Sequence, residues 1–350
     1  MFQRSEYSKL SKVLHHLALS NQIIPEFLLD LEYFLFKKKI VKNQNKKHVF
    51  VCGLPRSGTT ILMKSLYETD KFASLTYRDM PFILCPNLWK NISKRIKKKE
   101  LKKRIHADDI EIDIDSPEAL EEVFWKNKIY KEYTSSKKIF YHDVDNFTIS
   151  EFQKFVSLVL LKYEKNLYLS KNNNNIFRLQ SIFKAFPQSI IIVPFRNPLN
   201  HASSLLKLHK LFLKIQKKDS FITTYMRYLG HHEFGETILE YEFSDNLNKF
   251  DKMTLDYWLN LWIETYKFLK QDKFRANKNL IYIDYDYFCD NPKKVLNYIY
   301  RKVDLNISAE KNLLKQNRNI YSIKDFKNEL KIKSFDVYNQ LKDISMRNFT

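Results

Sequence analysis

The sequence predicts an α/β fold, a central parallel sheet covered by helices on both faces, with helical additions at both ends of the chain. Two observations carry this. From Ile139 onward, strand-like runs alternate with helix-like periods: 167–170 before 176–186, 190–193 before a helix holding Ser203, Ser204 and Leu205, and 280–283 before Pro292 to Lys302. Strand, polar loop, helix, strand means βαβ units, and a run such as Ile190-Ile191-Ile192-Val193 is apolar at every position, as a strand buried on both faces must be. The second observation is the stretch Val49 to Thr60, where β-formers feed a loop and the loop feeds an apolar-periodic helix from Ile61 to Tyr67.

That loop is the most informative stretch. The chain has only four glycines, and Gly53 and Gly58 both fall here. In so glycine-poor a chain this placement suggests positive φ or close approach of a ligand. The N–H groups that open a helix favour an anion, so the segment reads as a phosphate-binding loop. It departs from the nucleotide triphosphatase pattern G-x-x-x-x-G-K-[ST], because Thr59 stands where the lysine belongs. The cation has moved inside the loop, to Arg56, whose planar fork can hold phosphate or sulfate oxygens without a metal. Taken alone, the loop also reads as a turn carrying a surface arginine.

Composition bounds the rest. The 350 residues suit one large α/β domain or two smaller ones, and 27 Phe and 21 Tyr within 44 % hydrophobic residues suffice for a sizeable core. The net charge of +20 points to an acidic ligand or partner: a nucleotide, an anionic sugar, nucleic acid or an anionic membrane. Cys52, Cys85 and Cys289 lie too far apart for a disulfide framework or a zinc site, and read as buried thiols of a reducing compartment.

In chain order, residues 1–45 read as two helices forming an N-terminal extension. Residues 1–20 show no apolar signal core. Glu26, Asp30 and Glu32 interrupt the greasy stretch 23–41, so an amphipathic core helix is expected rather than a membrane span, and a cytoplasmic protein is the default. A core domain over 46–305 follows. Asp79, before Met80-Pro81, is either an N-cap or a carboxylate near the loop. A Lys/Arg-rich run at 93–104 and an acidic patch (Asp108, Asp109, Glu111, Asp113, Asp115) read as an insertion over about 91–116, either a solvated charge run or a lid for an anionic acceptor. Asp115-Ser116-Pro117-Glu118 signals a helix start. His231 and His232, adjacent in sequence, face different sides and do not suggest a shared metal. Trp258 and Trp262 mark the apolar face of a helix over 253–270. Residues 306–350 are expected to be a C-terminal extension of peripheral helices on a single globular unit.

Four segments then resemble one family, the sulfotransferases that use 3′-phosphoadenosine 5′-phosphosulfate (PAPS). Pro55-Arg56-Ser57-Gly58-Thr59-Thr60 resembles the 5′-phosphosulfate loop P-[KR]-[ST]-G-[TS]-[TS]. Phe195-Arg196-Asn197-Pro198, with Ser204 eight residues after the arginine, is similar to the 3′-phosphate site. Ser170-Lys171 falls like the lysine of K-[TSD]-[PH], and Tyr285-Asp286-Tyr287-Phe288 before Pro292 like the late Y-E-D-L segment. The segments span about 46–300.

The resemblance implies a P-loop-like three-layer fold and metal-free in-line sulfuryl transfer from PAPS, leaving PAP (adenosine 3′,5′-bisphosphate). It implies donor binding by Arg56, Ser57, Gly58, Thr59, Thr60, Arg196 and Ser204, with Arg56 and Lys171 neutralising the breaking S–O bond. The small-molecule members carry a histidine as base two residues after the lysine, where this chain has Asn173. The members acting on polysaccharide or protein use a carboxylate, which implies Asp79 as base, His106 in reserve, and a carbohydrate hydroxyl as acceptor. The family's C-terminal R-K-G-x-x-G-x-W motif has no counterpart, since no glycine follows Gly235. The rival readings are an ATP-using P-loop kinase and a non-enzymatic anion- or nucleic-acid-binding protein, though no nucleic-acid partner is expected. The first predicts magnesium-dependent nucleotide binding, the second a steep salt dependence.

Overall fold

The computed structural model describes residues 9–96, 101–103, 110–244, 249–309 and 326–349. Its centre is an all-parallel sheet of five strands. In chain order the first elements are helices α1 (Lys9–Leu19) and α2 (Ile23–Phe36), strand β1 (Val49–Val51), helix α3 (Thr59–Tyr67), strand β2 (Phe72–Ala73) and helix α4 (Pro86–Ser93). A short antiparallel ribbon follows, β3 (Lys102–Lys103) on β4 (Glu111–Ile112). Then come α5 (Glu122–Tyr133), β5 (Lys138–Ile139), α6 (Asn146–Tyr163), β6 (Leu167–Lys171), α7 (Leu179–Ala185), β7 (Ile190–Phe195), α8 (Pro198–Lys218) and α9 (Ser220–Tyr228). The chain continues through β8 (Glu240–Tyr241), α10 (Leu255–Leu269), α11 (Asp272–Arg275), β9 (Leu280–Asp284), α12 (Tyr285–Asp290), α13 (Pro292–Lys302) and α14 (Asn328–Met346). The sheet order is β2-β6-β1-β7-β9.

Alternation along the strands divides the core into two layers. Phe50, Tyr168, Ile191, Val193 and Tyr282 face the larger cluster, while Val49, Val51, Leu169, Ile190, Ile192 and Ile281 face the smaller one. Both faces are therefore covered, which an all-parallel sheet requires. Trp258 and Trp262 of α10 are fully buried on the larger side. Cys52 and Cys85 are buried and Cys289 is half-buried.

Three expectations are corrected. The helix expected to open at Pro117 begins at Glu122 instead. Pro117 forms a bridge with Thr76, and the Glu118 N–H donates to Leu75 O at 3.1 Å, so 116–118 pairs with 75–77 rather than coiling. Helix α14 is not peripheral: Leu330, Val337, Tyr338 and Leu341 join the larger core beside β9 and α10. Helix α2 does pack Leu29 and Pro25 into the core, but its outward face is a row of apolar side chains instead of the polar face an amphipathic core helix would show, and a carboxylate, Glu32, is buried inward.

Candidate active site

The strand ends bring the sequence-predicted residues together. Strand β1 lies between β6 and β7, and Val51 is level with Lys171 on one side and Ile192 on the other. The phosphate loop, Lys171, Arg196 and Tyr285 all leave the sheet at its carboxyl edge, the edge at which open α/β sheets hold ligands.

The loop has the backbone a phosphate cradle needs. Gly53, Arg56 and Gly58 have φ of 142°, 73° and 102°. Gly58 caps α3, and a Cβ there would overlap the Tyr285 ring as well as strain the backbone. The Leu62 N–H reaches Gly58 O at 3.1 Å, and the N–H groups of the turn before it have no acceptor within the helix. Ser57 and Thr59 are buried, while Arg56, Gly58 and Thr60 are half-buried. Ser57 N–H donates to Leu54 O at 3.3 Å, closing the turn within the loop.

Arg56 Nε donates to Ser204 Oγ at 3.0 Å, joining the loop to α8 across 148 residues of sequence. Arg196 is only 9 % exposed, packs its guanidinium 5.3 Å from the Tyr285 ring centroid, and leaves Nε without a hydrogen-bond partner. A buried cation with an unpaired donor is costly, and an anion would relieve it. His201, three residues before Ser204, donates from Nε2 to Pro55 O at 2.8 Å and pins the loop from below. Burial, with Arg196 beside it, lowers its pKa to about 3, so the ring is neutral. The sequence reading passed over His201, although its spacing from Ser204 puts both on one face of α8.

Lys171 is buried, with Nζ 3.6 Å from Glu118 Oε1. Glu118 is half-buried and accepts from Tyr77 Oη at 2.7 Å and from the Ala119 N–H at 2.8 Å. His231 Nε2 lies 3.3 Å from Ala119 O, and Asn173 Nδ2 donates to Glu233 Oε1 at 3.1 Å. Beneath Lys171 lies a sealed polar network. Arg178 and Glu122 form a fully buried ion pair, and Asn172 Nδ2 donates to Glu122 Oε2 at 2.7 Å. Burial would push the Glu122 carboxyl up, but the Arg178 guanidinium outweighs it and holds the carboxyl below its usual range.

Asp79 does not belong with these groups. It is fully buried, closes a capping box with Thr76, pairs with Lys162 and accepts from Tyr163 Oη at 2.6 Å. So enclosed, Asp79 is held by its own partners and not presented to an acceptor, and its surroundings give the expectation of Asp79 as base no support. His106 lies outside the described residues. Arg78, beside Asp79, donates to Asp115 Oδ2 at 2.9 Å and to Ser93 O at 2.8 Å, tying together the two ends of the basic and acidic insertion.

A model described as the sulfotransferase family matches residues 48–309. The fold is similar to that of the sulfotransferase STF1 from Mycobacterium tuberculosis H37Rv, with a TM-score of 0.51 and 12 % identity, covering 97 % of this chain and 86 % of that one. The sulfotransferase STF9 from Mycobacterium avium aligns at 11 % identity with a TM-score of 0.48, covering 97 % of this chain and 79 % of that one. At such identities the likeness is one of fold. No curated protein matches the sequence significantly.

Proposed function

The chain belongs to the sulfotransferase family, and from that premise we propose that it transfers a sulfuryl group from PAPS to a carbohydrate hydroxyl. The observation that carries the donor assignment is Arg196: a buried guanidinium with an unpaired Nε, next to a loop already tied to Ser204. A 3′-phosphate would complete Arg196 and Ser204, and the 5′-phosphosulfate would lie on the N–H groups of Gly58, Thr59 and Thr60. The donor supplies the sulfuryl group and a good leaving phosphate. The chain's own part is electrostatic. Arg56 and Lys171 hold positive charge where the bridging oxygen gains negative charge, which needs no proton transfer at that end. His201 and the Glu122–Arg178–Asn172 network keep the loop and Lys171 in place.

The acceptor must lose a proton. Glu118 takes the role expected of Asp79: it is a carboxylate beside Lys171 that keeps some exposure, 11 % of its side chain, with hydrogen bonds that hold it in one orientation. Asn173 in place of a histidine, a carboxylate base and the strongly basic composition support a hydroxyl on an anionic or neutral sugar. Calorimetry with PAP beside AMP and ATP–Mg²⁺ tests the reading. PAP is expected to bind at least ~10-fold tighter than AMP, and Arg196→Ala to erase that difference, since a charge-assisted contact is worth about 1.5–3 kcal/mol. Equal affinity for PAP and AMP, or binding only of ATP–Mg²⁺, would remove the 3′-phosphate site and the proposal with it.

A further inference from the structure

Helix α2 presents an unusual surface. Ile23, Ile24, Phe27, Leu28, Leu31, Phe34 and Leu35 recur at helical spacing along one side. Ile23 is 78 % exposed, Phe27 62 % and Phe34 65 %. The orientation is fixed from the other side. Glu32 is wholly buried and accepts from the Asn87 and Leu88 N–H groups at 2.9 and 3.0 Å, which open α4. Leu29 and Pro25 pack inward beside it. The outer stripe is therefore held outward by the same bonds that seat the helix. Neighbouring α1 adds exposed Val13 and Leu17.

Cations border the stripe. Lys37, Lys38, Lys39, Lys42 and Lys46 follow α2 and are all exposed, and Lys37 Nζ sits 4.9 Å from the Phe34 ring centroid. Of the two acids on the exposed rim, Glu26 is neutralised by Lys128 at 2.9 Å, leaving Asp30. At 14 residues the helix is about 21 Å long, short of the ~30 Å that a hydrocarbon core demands. Among the described residues no helix is long and apolar enough to cross a membrane. An apolar helix face with a lysine border and no spanning length is the pattern of a helix lying in a membrane interface.

We propose that the outer face of α2 docks the protein onto an anionic lipid surface, with Phe27, Phe34 and Leu35 entering the interface and the 37–46 lysines meeting the headgroups. A second copy of the chain is the less suitable occupant, because pairing two such faces would bring their lysine borders together. The inference is independent of the donor and acceptor assigned above.

Sedimentation of the full chain with vesicles tests it. Binding is expected to phosphatidylcholine vesicles containing phosphatidylglycerol, weakening as salt rises, with little on phosphatidylcholine alone. The double variant Phe27→Glu/Phe34→Glu is expected to lose at least ~10-fold of that binding while keeping the wild-type melting temperature, since both side chains are exposed. Lys38→Glu/Lys39→Glu should weaken it without touching the apolar stripe. Absence of binding to the anionic vesicles would overturn the proposal, as would equal binding of the Phe27→Glu/Phe34→Glu variant. Dimers in light scattering that the same variant dissolves, together with no vesicle binding, would assign the face to a second copy instead.

Discussion

Asp79 and Glu118 show how little a carboxylate's identity says about its task. Both lie near the strand ends, but Asp79 is enclosed by Lys162, Tyr163 and Thr76, whereas Glu118 is only partly buried beside Lys171. Substituting them should separate the roles. Asp79→Asn leaves the buried Lys162 ammonium without its counter-ion and is expected to cost about 3–5 kcal/mol of stability, read from urea unfolding. Glu118→Gln should keep the fold and PAP binding but lower sulfuryl transfer by about 10²–10⁴-fold, the usual weight of a general base. A stable Asp79→Asn protein that fails only in transfer would return the base to Asp79. Arg56→Ala and Lys171→Ala should cut turnover about 10²–10³-fold while weakening PAP binding much less, because their charge matters most as the S–O bond breaks.

At the scale of elements, the site depends on how strand ends and helix starts are pinned to one another. Gly58 is the tightest point: it caps α3 at positive φ and lies against the Tyr285 ring of α12, which itself lies under Arg196. Gly58→Ala is therefore expected to strain the loop and push Tyr285 off Arg196. The measurable outcome is loss of PAP binding together with a lower melting temperature. Tyr285→Ala, which removes the ring but not the glycine, should weaken PAP binding with a smaller stability loss. If Gly58→Ala bound PAP like the wild type, the packing of α12 on the loop would have no bearing on the site. Helix α14 contributes from far along the chain. Its Tyr338 Oη donates to Asp284 Oδ2 at 3.4 Å, at the end of β9, so the last strand is closed by residues that the sequence places outside the core domain.

At the scale of the whole molecule, burial keeps histidines of the described residues neutral, His48, His142, His201 and His209 most strongly. Burial, the largest influence on each, lowers the pKa to about 3 at His48, His142 and His201 and to about 4 at His209. Their hydrogen bonds agree: His48 Nδ1 accepts from the Tyr168 N–H at 2.9 Å, and His209 Nδ1 from the Gly235 N–H at 3.1 Å. The unfolded chain protonates these rings near pH 6.5, whereas the folded chain does so only near 3 to 4. The unfolded state therefore binds more protons across that window. Stability is full above about pH 6.5 and falls as pH drops toward 4, by about 1.4 kcal/mol per pH unit for each histidine. The urea midpoint should be clearly lower at pH 5 than at pH 7.5, and the slope should be shallower in His201→Gln. A midpoint that does not move between those values would mean these rings are not held neutral.

The strand, glycine loop and helix over 49–67 and the parallel-strand pattern were legible because both are local. A strand, two glycines at set spacing and a helix start impose backbone conformations within a dozen residues, and a fully apolar run leaves a strand few places but the middle of a parallel sheet. The placement of Arg196 at the end of β7 and of Ser204 two turns on in α8 was legible for the same reason. The enclosure of Asp79 comes from Lys162, 83 residues away, and Glu118 is carried to Lys171 by a segment that bridges Thr76 through Pro117. The outward face of α2 was likewise decided by Glu32 reaching the start of α4, 55 residues on. A side chain's charge and period are written in its own segment. Its burial, partner and direction belong to contacts between distant segments, and only the folded chain brings those together.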